Sequence, residues 1–297
     1  MVKFAFIAFV LLSLFGCEFE RESSDRPENI ETGKFRNEYR GRENEPGRED
    51  KNHSKIIRTD DLETIKSACA GADPRTLVIF DMDNVLTEST ERAFQSDLYP
   101  KIKKIVDQYK EQVKKMSPSD QEKLKGAQWE IPVCLVDNGM PLLIKSLQDR
   151  EIKVLMLTAN PHGKIANVDS IEALCDSRLR ALGINFEKSW PSVDIKRDFD
   201  NELTIFYKGE IFTMESKEIA LKRFLECLPK HEFRKIIFLD DKRKNKVKNL
   251  AKKLKKVFIG VEYFRVFTKK RPKTDLSLVK EYFERLKKVV SSKTKSV

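Results

Sequence analysis

The sequence predicts an α/β fold built on a mainly parallel sheet, and three observations carry that prediction. Four uninterrupted apolar runs have the length of a strand: residues 76–80, 154–157, 236–239 and 257–261. They lack the alternation of a strand with one wet face, and they suit strands covered on both faces, as parallel strands are. Segments of helical period separate them, the order of a parallel βαβ sheet. The first three runs each end in a polar motif: Asp81-Met82-Asp83-Asn84, Thr158-Ala159-Asn160 and Asp240-Asp241. Ligands of open α/β sheets bind at the carboxyl ends of the strands, so this shared position is informative in itself.

The chain has 297 residues, 40% of them hydrophobic, enough for one sizeable core. The amino-terminal stretch does not read as part of it. Lys3 precedes an apolar run, residues 4–15, too short to span a bilayer as a mature helix and suited to a signal peptide of residues 1–16. The run ends Leu14-Phe15-Gly16-Cys17, which resembles the lipobox of bacterial lipoproteins. The resemblance implies lipid attachment at Cys17 and a membrane-anchored protein on the periplasmic or extracellular side. A plain signal peptide is the alternative. Residues 17–60 are rich in Glu, Arg, Asn, Ser, Pro and Gly, with almost no aliphatics. They cannot bury enough apolar surface to offset chain entropy and read as a flexible tether. The folded domain is expected over residues 61–297.

That domain opens with a short helix at 62–66, then the first strand. Residues 99–126 form a long polar helical region, broken at Ser117-Pro118-Ser119, with Ile102, Ile105, Val106 and Tyr109 on one face. It lies within residues 88–136, read as a small helical cap inserted over the strand ends, which would exclude water. Residues 139–149 read as a core helix carrying Leu142, Leu143, Ile144 and Leu147. After the second strand a helix over 171–182 stops at Gly183. Residues 203–212 read as a β-hairpin turning at Lys208-Gly209. A helix over 217–228 turns Ile219, Ala220, Phe224 and Leu225 inward, and another over 245–254 precedes the fourth strand. The last segment, 275–290, is an amphipathic helix with Leu278, Val279, Tyr282, Phe283, Leu286 and Val290 on its apolar face. It either packs on the domain or lies on a membrane surface.

The net charge is +11, from lysines scattered over the helical segments. A solvated, lysine-rich surface accounts for it, as would attraction to anionic lipid or a phosphorylated substrate. With Cys17 lipidated, Cys69, Cys134, Cys175 and Cys227 remain, which either pair in an oxidising compartment or serve as small buried hydrophobes.

The polar motifs supply a chemistry. A carboxylate such as Asp81 is a competent nucleophile toward phosphorus. A second carboxyl two residues on, Asp83, can protonate the leaving oxygen if it lies off the metal. Magnesium takes oxygen ligands and keeps several waters, so Asp81 and Asp240 from adjacent strands would bracket it, with the backbone carbonyl of Asp83. Asp241 fits either the metal or the N-cap of the next helix. The Thr158 hydroxyl can hold a phosphate oxygen. Lys217, opening a helix, can neutralise charge on Asp81 and on the phosphoryl group. Arg92, Tyr99, Trp129 and His162 are weaker candidates for substrate contact, since packing or loop roles explain them equally. There is no P-loop, dinucleotide glycine fingerprint or zinc-type Cys/His cluster in the sequence.

In their order, Asp81-Met82-Asp83-Asn84-Val85, Thr158, Lys217 and Asp240-Asp241 resemble the four motifs of the haloacid dehalogenase-like superfamily of phosphotransferases. The stretch 207–213, Lys217 and 236–242 is similar, more narrowly, to an uncharacterised bacterial family within it. The resemblance implies a Rossmann-like sheet with helices on both faces, and Mg2+-dependent hydrolysis of a small phosphorylated substrate through an aspartyl-phosphate. Departures from the pattern are Asn160, where arginine is common, Glu218, where glycine usually follows the lysine, and Val85 in place of threonine. They bear on substrate preference.

Two other classes remain in view. A lipoprotein that kept the fold and lost turnover would serve as a binding module. Nucleic-acid or anionic-surface binding through lysines 242–256 and 269–273 would be steeply salt-dependent. Few aromatics interleave with those lysines, which argues against nucleic acid.

Overall fold

The computed structural model describes residues 55–191, 199–229, 232–241 and 256–292. Seven strands form one sheet: β1 Lys55–Thr59, β2 Thr76–Phe80, β5 Lys153–Thr158, β6 Thr204–Tyr207, β7 Glu210–Thr213, β8 Lys235–Asp240 and β9 Val257–Tyr263. Their spatial order is β1-β9-β8-β2-β5-β7-β6, and every pairing is parallel except the β6–β7 hairpin. The short pair β3 (Thr87–Ser89) and β4 (Val133–Leu135) is antiparallel and stands apart. The helices are α1 Leu62–Ala70, α2 Tyr99–Lys114, α3 Pro118–Trp129, α4 Met140–Asp149, α5 Ile171–Ala181, α6 Lys217–Glu226, α7 Arg265–Thr268 and α8 Leu276–Ser292. Among the described residues no helix is long and apolar enough to cross a membrane.

The continuous apolar runs became central strands for the reason the sequence suggests. All five residues of β2 are buried, and alternate side chains feed two separate cores. Val78, Phe80, Met156 and Leu239 join a core with α1, α4 and α5. Leu77, Ile79, Leu155 and Phe238 join another with α6, Trp190 and Phe199. Helices therefore cover both faces, as expected. Local signals set their ends. Asp61, Ser117, Ser170 and Ser216 cap α1, α3, α5 and α6 by accepting from backbone N–H groups, and Gly183 ends α5 at φ +84°. The hairpin turns at Lys208 and Gly209, both with positive φ, the geometry that matches strand twist.

The structure departs from expectation in four places. First, a strand lies inside the stretch read as tether: β1 pairs with β9 as an edge strand. Its Ile56-Ile57 pair is too short an apolar signal to stand out in a polar segment. Residues 17–54, the signal segment and Cys17 lie outside the described residues, as does the helix expected over 245–254. Second, the cap is not the insertion alone. Val279 and Phe283 of α8 sit in one buried cluster with Phe94, Ile102, Val106, Tyr109, Val113 and Leu124. The Phe283 ring lies 4.6 Å from that of Tyr109 and 5.6 Å from that of Phe94. Third, the β3–β4 pair that forms the stem of the cap was not anticipated. Fourth, Leu142, Ile219 and Leu278 are exposed rather than inward, at 71%, 50% and 60%. On α6 the buried stripe is Ala220, Leu221 and Phe224, and Ile219 precedes it around the helix.

Cys69, Cys134 and Cys175 are free thiols. Cys69 on α1 and Cys175 on α5 are buried in one core, and burial pushes the Cys69 thiol up to about 11. They act there as small hydrophobes.

Candidate active site

Strand register assembles the site. Phe80 pairs with Leu239 of β8 on one side and Met156 of β5 on the other, so residues just past Phe80 emerge beside both strand ends. Asp81 donates its backbone N–H to the Leu239 carbonyl at 2.9 Å, which holds it level with Asp240, the last residue of β8. The chain leaves β2 toward β5 and later returns to its other side at β8, so Asp81 stands at the switch point of the sheet.

The carboxylates of Asp81, Asp240 and Asp241 offer oxygens that all lie within 4.8 Å of one another. Lys217, the first residue of α6, is buried between two of them. Its Nζ is 2.6 Å from Asp81 Oδ1 and 3.0 Å from Asp240 Oδ2. Asp81 Oδ1 also accepts from the Met82 N–H at 2.8 Å, which fixes the carboxylate plane. Burial pushes the Asp81 carboxyl up to about 8; Lys217 opposes that, while Asp240 and Asp241 add to it. Burial alone would lower Lys217, but Asp240 and Asp81 outweigh it and hold the ammonium charged. Ionising all three carboxylates beside the one ammonium would leave two negative charges (−3 + 1) in a largely dry place, which is why burial and the neighbouring acids oppose it at Asp81. A hard divalent cation with oxygen preference fits that donor set and that charge.

Asp83 lies outside this carboxylate group: its side chain was expected off the metal, with only its backbone carbonyl offered to the ion. Its Oδ2 accepts from Asn160 Nδ2 at 2.9 Å, so the motifs after β2 and β5 meet through this pair. Thr158 closes β5 beside β2 and is buried. The structure thus brings Asp81, Asp240, Asp241 and Lys217 into contact range, with Asp83 and Thr158 on the flanking loop and strand end.

Sequence reasoning missed two neighbours. Asn84, buried and left-handed at φ +64°, donates from Nδ2 to Asp241 Oδ2 at 2.9 Å. Asn160, noted only as a departure, is the buried partner of Asp83. A left-handed non-glycine residue is uncommon and asparagine is favoured there, the one local signal that could have found Asn84. The other departures have local reasons. Val85 is fully buried in the core under α1, and Glu218 falls in the first turn of α6, where the helix dipole favours a carboxylate.

Three of the four weaker candidates are held elsewhere. Arg92 forks onto Asp97 at 2.5 and 2.6 Å and bonds Thr274 Oγ1. Trp129 is buried in the core and Tyr99 packs against the cap cluster. His162 is half-buried in the loop after β5. In the basic stretch 269–273, Lys269 and Arg271 pair with buried Glu88 at the cap stem, and Arg271 also reaches Asp97 at 3.4 Å.

Fold and site together define an α/β domain with a helical insertion and an acidic, lysine-bridged cluster at the carboxyl edge of its sheet. A family model described as "Protein of unknown function (DUF2608)" matches residues 58–295, and the chain belongs to that family. No curated protein and no solved structure matches it.

Proposed function

We propose that this protein is a Mg2+-dependent phosphatase of the haloacid dehalogenase-like type, hydrolysing a small phosphate monoester. The observation that carries the reading is the convergence of Asp81, Asp240 and Asp241 on one point, with Lys217 beside them, from motifs far apart in sequence. Asp81, Asp240, Asp241 and the Asp83 backbone carbonyl would hold the cation, which would draw negative charge off the phosphoryl group and keep Asp81 ionised. Asp81 attacks phosphorus, forming the acyl-phosphate bond as the ester P–O bond breaks. Asp83, oriented by Asn160, gives its proton to the departing alkoxide, then takes one from the water that cleaves the acyl-phosphate. Asp81 is regenerated and phosphate leaves. Lys217 and Thr158 bind the phosphoryl oxygens. The cap, over the site, would exclude bulk water from the acyl-phosphate and read the leaving group. Lipid attachment at Cys17, on the strength of the lipobox-like sequence, would place the domain at a membrane on the periplasmic or extracellular side.

The test uses soluble protein from Ser54 onward. Hydrolysis of an aryl phosphate should require Mg2+ and stop on EDTA addition. Asp81→Asn should abolish turnover with the circular dichroism spectrum unchanged. Metal-independent turnover, or an active Asp81→Asn, removes the mechanism. A folded, Mg2+-binding protein inert on a panel of phosphate esters would leave a binding module instead.

A further inference from the structure

We propose that Asn84 and Ser96 couple the position of the cap to the affinity of the acidic cluster for a divalent cation. The inference rests on reading Asp81, Asp240 and Asp241 as that cation's site. Two hydrogen bonds in series carry it. Ser96 Oγ donates to Asn84 Oδ1 at 2.8 Å, and Asn84 Nδ2 donates to Asp241 Oδ2 at 2.9 Å. Both amide termini of one buried side chain are thereby used, one on each side of the boundary between cap and sheet.

Each end is held by its own region. On the sheet side the left-handed Asn84 donates its backbone N–H to the Thr87 carbonyl at 2.8 Å, which fixes the turn after Asp83. On the cap side Ser96 lies between Phe94 and Leu98, both buried in the cap cluster. The chain around it is pinned by the Arg92–Asp97 fork and by Gln95 Nε2 donating to the Ser89 carbonyl at 2.9 Å. A cap displacement that withdraws Ser96 releases the Asn84 carbonyl and lets the amide rotate, and Asp241 loses the Asn84 donor.

Hydrogen bonds to a ligating carboxylate orient it, and their removal typically weakens metal affinity by about 10–100-fold. Linkage makes the coupling reciprocal: a cation held by Asp241 favours the cap position that keeps Ser96 in place. Asn84 and Ser96 are positioning residues, acting through Asp241 and not on the substrate.

Mg2+ titration by isothermal calorimetry tests this, with the wild type, Ser96→Ala, Asn84→Gly and the double variant. Glycine accepts the positive φ without strain, so Asn84→Gly removes the relay and keeps the turn. Both single variants should bind Mg2+ about tenfold or more weaker, with the melting temperature in EDTA close to wild type. The double variant should bind no weaker than Asn84→Gly alone, because Ser96 acts only through Asn84. Mg2+ affinity unchanged in Ser96→Ala overturns the coupling even where Asn84→Gly is weakened, and so do additive losses. These readouts do not depend on turnover. A wild type that binds Mg2+ but hydrolyses no ester would sink the phosphatase and leave the relay measurable, whereas one that binds no divalent cation overturns both.

Discussion

The sheet and the cap are built by opposite strategies. The sheet grows from strand–helix units contiguous in sequence, and its site residues follow buried strands whose register places them. The cap draws its core from an inserted segment and from α8 at the far end of the described chain, joined by aromatic contacts such as Phe283 on Tyr109 and Phe94. A strap leads from β9 to α8, and on it Lys269 and Arg271 clasp Glu88 at the stem of the insertion. The cap therefore joins the sheet through three chain segments, not only the two ends of an insertion. Charges at the sheet edge are crowded, three carboxylates beside one ammonium, and carry an electrostatic cost. Charges at the cap stem are paired one to another and hold position.

That difference predicts where damage goes. The largest effect is expected from Lys217→Met, which leaves Asp81 and Asp240 buried side by side without their ammonium. Breaking a buried charge pair typically costs about 3–5 kcal/mol. Urea denaturation in EDTA should show a loss of that order at pH 8, shrinking as pH falls. The sign follows from Asp81, whose folded pKa is raised from 3.8 to about 8. Such a group contributes stability that is complete below 3.8 and lost as pH rises through about 8. Removing Lys217, which pulls that pKa down, raises it further, so through this carboxyl the variant falls increasingly behind the wild type as pH rises past about 8. A variant equally stable at both ends of this range would mean the lysine is not what balances the site.

Next in size is Phe283→Ala on α8. Emptying a buried aromatic site typically costs about 3–5 kcal/mol, here confined to the cap. Hydrogen exchange should quicken in α2 and α3 while β2, β5 and β8 keep their protection. Uniform loss of protection across the sheet would break the comparison and make cap and sheet one cooperative unit.

The same contrast sorts what was legible in the sequence. Three of the four apolar runs, β2, β5 and β8, identified central strands because burial on both faces leaves little other composition possible. Asp81 and Asp240 were legible because a strand end fixes direction as well as position, and Lys217 because it opens a helix. The β1 edge strand was not, since a half-exposed edge with two isoleucines buries too little to register. The apolar face of α8 left packing and a membrane surface both open; Val279 and Phe283 pack, against a partner that helical period does not name. Asn84 and Asn160 were illegible as partners of Asp241 and Asp83, because side-chain hydrogen bonds between loops leave no periodic trace.

The smallest effect tests how firmly the cap's far end is seated. α3 rests on the loop between β5 and α5: the Ala166 N–H donates to Glu122 Oε1 at 3.2 Å, and Asn167 Nδ2 donates to Glu130. Gly126 makes the approach possible, because a Cβ there would lie 2.8 Å from the Ala166 Cβ and also meet the Asn167 side chain. For Gly126→Ala two terms compete. Alanine in a helix interior is worth up to about 1 kcal/mol over glycine. Crowding a packed contact typically costs about 1–3 kcal/mol. The Asn167 side chain is exposed and can swing away, but the Ala166 Cβ is part of a left-handed turn at φ +53° and cannot. The clash should narrowly win: a loss of at most about 1 kcal/mol by urea denaturation, with faster exchange at Ala166 and through the last turn of α3. A rise in stability without that local exchange would mean helix propensity prevailed, and that α3 does not press on the loop in solution.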